Sequence, residues 1–487
     1  MNGLLGGYSR EITRVLDCSA ICWIVQCVSW LGLARVNYPF HMPANCCPAM
    51  GGSHQIKGDT MAHTTIIGID VSKNFADACA ISAQGEVMLE TKIFYDTVGL
   101  QHFLKQLDQL AGEQRHCAVA VMESTAHYHR ILETYLRRSG IDVVVINPLQ
   151  SGSMKNLEIR KIKNDRTDAK RIAQLYLFKM LRGNAVDSIL VGALKDLTRQ
   201  RSDIISERVK FSNKLTALLD QGFPGFRKVF SSLRTKSALA VLARFPGPEE
   251  ICGANRIDIA KTIAFAAGRN TESAYAVKKA NHLLDIAEQA MQLQVERGSF
   301  KTLITLFAEM LIQIQRAADQ IERQIFETAQ CDRTFWSQVE LLTSIPGIGQ
   351  YAAVVILAEI GDFSRFKKAK QLVAFAGIDP AVKQSGTSAY KHNKISKRGS
   401  PYLRKILDTC THVAAHKGRN QQPANPILAA YYEEKRSVKP ANVAQCACIH
   451  KMLGYIFSVL RNQKPFELRS PEEHLALMRS KTADIAA

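Results

Sequence analysis

Between positions 65 and 146 the chain alternates segments of two hydrophobic periods, and the order of those segments narrows the fold more than any other feature. TIIGIDV (65–71), DACAISA (77–83) and LETKIFY (89–95) read as three strands, with the turn Gln84-Gly85 after the second. Positions 98–110 place Leu100, Phe103, Leu104 and Leu107 on one helical face. HCAVAVM (116–122) is a buried-strand run. Positions 126–138 follow as a helix stopped by Gly140, and IDVVVI (141–146) is another all-apolar strand.

Three strands, helix, strand, helix, strand predicts an α/β domain of ribonuclease-H-like (RuvC-like) type. A dinucleotide-binding fold fits less well, because no glycine-rich turn follows the first strand. From about 168 to 332 the chain turns helical. The stretches 194–219 and 303–329 are long and amphipathic, and predict an antiparallel or an intermolecular coiled coil. Phe223-Pro224-Gly225 and Phe245-Pro246-Gly247-Pro248 break helices between them. A basic, mainly α unit begins near Val339. The expected division is an extension at 1–60 outside the fold, a RuvC-like domain at 61–190, a helical coiled-coil region at 191–335, a C-terminal domain at 336–470 and a tail at 471–487. The first 60 residues hold five of the twelve cysteines and two of the three tryptophans, and a strand pattern starts just after Met61.

Lys and Arg number 63 against 44 Asp and Glu, a net charge of +19. Such a balance points to a polyanionic partner, DNA, RNA or an anionic surface. No uninterrupted apolar run is long enough for a membrane span, so no membrane partner is expected. The cysteines show no CxxC and no zinc-ligand spacing, which fits scattered thiols in a reducing cytoplasm.

Four carboxylates stand out. Asp70 ends the first strand and Glu123 the fourth, and Asp165 and Asp168 begin a helix in KNDRTDAKR. In the expected sheet the first and fourth strands are neighbours, so Asp70 and Glu123 share one end. Residues i and i+3 share a helix face, so Asp165 and Asp168 can address the same point. Four converging carboxylates repel unless a divalent cation lies between them, and hard oxygen ligands suit Mg²⁺ or Mn²⁺. Taken singly, each acid also reads as a turn residue, a helix cap or a partner for Arg166 or Arg171. Lys155, Arg160, Lys161, Lys163, Arg166, Lys170 and Arg171 surround the pair, as a phosphate backbone would require.

LLTSIPGIGQYAAVVILAEIG (341–361) reads as helix, tight turn, helix. It has the form of a helix-hairpin-helix, whose turn at Gly347 and Gly349 would offer N–H groups to a phosphate. After FAGIDP comes an acid-free stretch, 383–405, with Lys383, Lys391, Lys394, Lys397, Arg398, Arg404 and Lys405. Ser385 lies in it among small residues, and by composition Ser388, Ser396 and Ser400 are as eligible for nucleophilic work.

GIDVSK, the MES glutamate, the K-x-D-x-x-D-A helix, IPGIG, FAGIDP, the QSG serine and KISKRGSPYLR together resemble the DEDD transposases of bacterial insertion sequences, a family that includes a pilin-gene invertase. The resemblance spans about 64–460. It implies a RuvC-like domain, a coiled-coil linker and a C-terminal transposase domain that cut and rejoin DNA at element ends and target, in many members guided by a bridge RNA. It implies that Asp70, Glu123, Asp165 and Asp168 bind metal and that Ser385 attacks DNA to form a phosphoserine link. The carboxylates and the serine lie over 200 residues apart, so a site shared between subunits of a dimer or tetramer is expected. Asn164 departs from the threonine common before the first Asp of the pair. The alternatives are a Holliday-junction resolvase-like nuclease, a site-specific invertase, or an inactive DNA- or RNA-binding protein.

Overall fold

The structure, a computed structural model, describes residues 65–111, 117–124, 128–146, 165–178, 188–293, 298–381, 384–385, 388–389, 394–418, 422–470 and 472–473. Strands β1 (Thr65–Val71), β2 (Phe75–Ser82) and β3 (Val87–Phe94) come first. Helix α1 (Thr97–Ala111), β4 (Ala118–Glu123), α2 (His129–Arg138) and β5 (Asp142–Ile146) follow. They form a five-stranded sheet in the order β3-β2-β1-β4-β5. The first three strands are antiparallel neighbours, whereas β1, β4 and β5 run parallel. Parallel strands need crossovers, which α1 and α2 supply. Continuous burial along β1 and β4 marks them as central, and β3, more exposed, takes an edge.

The two faces of the sheet are covered by different helices. Ile67, Ile69 and Met122 pack with Leu100, Phe103 and Leu107 of α1 and Leu132 and Leu136 of α2. Ile66, Cys79, Val119 and Val121 pack instead with Ala169, Ile172 and Ala173 of α3 (Asp165–Leu177).

Helix α4 (Ile189–Gly222) is capped by the Ser188 hydroxyl, which accepts the Val191 N–H at 3.2 Å. Helices α5 (Phe226–Val229), α6 (Lys236–Arg244), α7 (Pro248–Cys252), α8 (Arg256–Ala267) and α9 (Ala274–Gln292) lead to α10 (Gly298–Gln330). Both expected helix breaks are present. The two long helices are antiparallel partners within one chain. Arg201 meets Glu322 at 2.7 Å, Arg208 bonds Gln315, Phe211 touches Phe307 and Gly222 abuts Phe300. Residue numbers rise on one helix as they fall on the other, so α4 and α10 pair antiparallel within one chain. Their far end carries a separate core built on Phe223, Phe226, Leu242, Ile263 and Leu283.

The C-terminal part is mainly helical. It comprises α11 (Arg333–Thr343), α12 (Gln350–Ile360), α13 (Ala369–Ala376), a short hairpin of β6 (Gln384–Ser385) and β7 (Ser388–Ala389), then α14 (Pro401–Ala415), α15 (Pro426–Val438) and α16 (Ala441–Asn462). Its core joins Val354, Ile356, Leu403, Leu407, Met452 and Ile456 to Leu194 of α4 and Ile325 of α10. Helix α16 is long and apolar enough to cross a membrane, but Cys448, Met452, Leu453 and Ile456 are buried in this core, which accounts for its composition. Among the described residues every cysteine is a free thiol.

Candidate functional site

The first candidate surface is the sheet face under α3. Side chains alternate faces along a strand, and Ile66 faces α3, so Gly68 and Asp70 do as well. The glycine is required there. A Cβ on Gly68 would lie 2.1 Å from the Ala169 carbonyl oxygen and 2.5 Å from the Ala173 nitrogen. The missing side chain lets the backbone of α3 settle on β1, with the nearer contact, Ala169, next in sequence to Asp168. Cross-strand register puts Asp77 opposite Asp70, and residues directly opposite share a face. Ile69 pairs with Met122, so Glu123 of β4 ends beside Asp70, on the face of Val119 and Val121.

Asp70, Asp77, Glu123 and Asp168 therefore address the same side of the sheet. Asp168 is 8% exposed and ion-paired with Arg171 at 3.4 Å. Asp77 is 4% exposed. Sequence reasoning passed over it, although an acid inside an otherwise apolar strand is a visible signal. The turn after Asp70 is tied down. The Ser72 hydroxyl donates to the Phe75 carbonyl at 2.5 Å, and the Tyr95 hydroxyl donates to the carbonyls of Ser72 and Phe75 at 2.9 and 3.0 Å. Burial, with a smaller contribution from the Asp70 charge, pushes the Tyr95 phenol up to about 12, so it stays a donor at neutral pH.

Asp165 begins α3, but its side chain and that of Arg166 lie outside what is described, as do Lys163, Lys383, Lys391 and residues 1–60. Among the described residues no three His, Cys, Asp or Glu side chains are gathered closely enough to hold a metal ion. The chemistry of the set, carboxylate oxygens alone, is nonetheless that of a hard divalent cation.

The second candidate surface is the hairpin that carries Ser385. Its arms are closed at the base. Ser396 N–H donates to the Asp379 carbonyl at 2.8 Å, Ala381 N–H to the Lys394 carbonyl at 2.7 Å and Lys397 N–H to the Gly377 carbonyl at 3.0 Å. The arms pair again at the tip, Gln384 with Ala389 and Ser385 with Ser388. The side chains of Ser385 and Ser388 lie outside what is described, whereas Ser396 and Ser400 have structural partners. Ser400 caps α14 by accepting the Leu403 N–H, and Ser396 donates to Asp379 Oδ1 at 2.5 Å. Lys394, Lys397 and Arg398 are exposed. Arg404 is half-buried, with Nη1 donating to the carbonyls of Gly399 (2.6 Å) and Ala376 (3.2 Å), and burial lowers its pKa. Its guanidinium braces the fold.

The turn between α11 and α12 also divides its glycines. Gly347 has φ +99°, and a Cβ there would meet the Cys410 carbonyl and the Ala414 side chain, both at 2.6 Å. Its first duty is close packing on α14. Gly349 is exposed, with nothing near its missing Cβ, and precedes the first turn of α12.

Comparison with known proteins finds two transposase family models on this chain. One, of the DEDD type named for IS110, matches residues 67–224, and the other, described as the IS116/IS110/IS902 family, matches 339–433. The IS110 insertion-element protein of Streptomyces coelicolor is similar at 23% identity over 417 residues, 85% of this chain and 98% of that protein. The transposase for insertion sequence element IS1111A of Coxiella burnetii is similar at 22% over 410 residues, 84% of this chain and 92% of that protein. The pilin gene-inverting protein of Moraxella bovis is similar at 31% over 153 residues, 31% of this chain and 46% of that protein.

Proposed function

From the premise that the chain belongs to the IS110/IS116/IS902 transposase family, we propose that it cuts and rejoins DNA through two separate sets of residues, the carboxylates of the sheet face and the serine of the hairpin. The observation that carries this reading is the closure of α3 over Gly68, which sets Asp168 on the same face as Asp70 and Glu123. The strand order β3-β2-β1-β4-β5 supports the RuvC-like reading of this domain.

Asp70, Glu123, Asp165 and Asp168 would hold Mg²⁺ or Mn²⁺. When bound, a divalent cation supplies charge neutralisation for the scissile phosphodiester. Arg171 restrains Asp168, and Tyr95 fixes the turn that follows Asp70. Ser385 is the nucleophile, with Lys394, Lys397 and Arg398 available to balance charge on the transferring phosphate. The partners are the DNA of element ends and target, and a guide RNA encoded beside the gene. The net charge of +19 supports both polyanions. The acting unit is a dimer or tetramer in the cytoplasm.

The test is a denaturing gel with end-labelled DNA from the gene's own flanks, Mg²⁺ and RNA transcribed from those flanks, followed by peptide mapping of the adduct. A protein–DNA adduct on Ser385 is expected. Strand cleavage with no adduct would replace this mechanism by hydrolysis of the resolvase kind.

A further inference from the structure

The hairpin that carries Ser385 is anchored by more than ladder hydrogen bonds. Gly377 closes α13 with φ +69°, and a Cβ on it would lie 2.7 Å from the Gly399 nitrogen and 2.8 Å from the Arg398 nitrogen. A Cβ on Gly399 would lie 1.9 Å from the Phe375 carbonyl oxygen. The end of α13 and the returning arm at 397–399 thus touch backbone to backbone, which only glycines permit. Lys397, on the returning arm, holds a left-handed backbone at φ +54°. A lysine there is strained, and the Lys397 N–H bond to Gly377 helps to hold it. Among the described residues a side-chain pair bridges the arms at this level, the Ser396 hydroxyl to Asp379 Oδ1 at 2.5 Å.

We propose that Asp379 and Ser396 are positioning residues, a side-chain clasp that fixes the base of the hairpin and thereby holds the strand pair β6–β7 that carries Ser385. This rests on the reading of Ser385 as the nucleophile. Ser396 is unsuited to that role in this geometry. Its N–H and its hydroxyl are both directed to Asp379 on the opposite arm, and it is half-buried. In the step the clasp serves, a bond forms between Ser385 Oγ and phosphorus while a bond from phosphorus to a deoxyribose oxygen breaks. The serine proton passes to the leaving oxygen, and no other reactant is consumed. A displaced nucleophile loses rate without losing affinity, because phosphate contacts elsewhere hold the DNA.

The experiment compares full-length Ser396→Ala, Asp379→Ala, their double variant, Ser396→Thr and Ser385→Ala in the adduct assay, with DNA affinity measured alongside. Ser396→Ala and Asp379→Ala should each slow adduct formation by about 10- to 100-fold at unchanged affinity. The double variant should be no slower than the worse single one, and Ser396→Thr, which keeps the hydroxyl, should recover most of the rate. Hydrogen exchange at the 394–398 amides should quicken in both alanine variants and not in Ser396→Thr. Wild-type rates in both alanine variants, with Ser385→Ala inactive, would overturn the clasp and leave Ser385 in place. An adduct that persists in Ser385→Ala and vanishes in Ser396→Ala would overturn both, with Ser396 as the attacking group.

Discussion

Arg199 of α4 donates to both oxygens of Glu359 on α12, at 2.6 and 2.8 Å, across 160 residues of sequence. Glu359 is 1% exposed, an acid inside the otherwise apolar run AAVVILAEI. The bond to Glu359 holds the Arg199 guanidinium above its usual pKa, against the opposing effect of burial. The same stretch of α4 reaches three other ways. Asp196 pairs with Arg130 of α2 at 2.5 Å, Asp203 accepts from Tyr402, and Ser202 and Ser206 accept from Lys405. One helix thereby links the sheet that bears the carboxylates to the helices that bear the serine hairpin.

Removing one partner of a buried pair strands the other charge. Arg199→Ala should therefore lower unfolding stability by about 3 kcal/mol, at the lower end for buried pairs because Arg199 is 36% exposed. Replacing both partners, as Arg199→Met with Glu359→Leu, should cost much less. Urea unfolding measures both. A single variant as stable as the parent would show that water already serves Glu359.

Gly68→Ala should detach function from fold. The added methyl meets backbone atoms of α3, which cannot yield as a side-chain tip can. Overpacking of this kind costs about 1–3 kcal/mol, and here its relief lifts Asp165 and Asp168 away from Asp70. Cleavage should fall sharply while the helical C-terminal half still binds DNA. Unchanged cleavage would mean that close approach of α3 is not needed.

The four carboxylates should fail as a unit. Asp70→Ala, Glu123→Ala, Asp165→Ala and Asp168→Ala are each expected to abolish cleavage, to spare nucleic-acid binding, and to show no added loss in combination. A variant that recombines at near the parent rate removes its residue from the site. Asp77→Asn is the informative companion, since Asp77 faces Asp70 across the ladder.

DNA binding should weaken steeply with salt. The net charge of +19 and the exposed Lys394, Lys397 and Arg398 imply many phosphate contacts. With six or more of them, affinity should drop by roughly 10³ between about 50 and 200 mM salt. A flat titration of affinity against salt would point to recognition without backbone contacts.

Strands, helices and breaks were legible because their signals are local. The apolar, continuously buried runs TIIGIDV and AVAVME, helical spacing at 98–110 and the two Pro-Gly breaks each lie within a few residues. The chain order of the α/β domain followed from them, and so did the placing of Asp70 and Glu123 on adjacent strands. The glycine of GIDVSK and the acid of FAGIDP were visible in the motifs, but their neighbours were not.

What the amino-acid order determined by itself was which segments become strands or helices and where the charged and acidic groups fall along them, since those depend on neighbours a turn away. Only the tertiary structure decided that α4 and α10 pair within one chain, that Gly68 yields space to Ala169, that Asp77 stands opposite Asp70, and that Asp379 clasps Ser396. Each of those is a contact between distant segments. Such contacts depend on which surfaces meet when the core closes, and amphipathic helices and polar pairs offer several partners of similar energy until packing selects one.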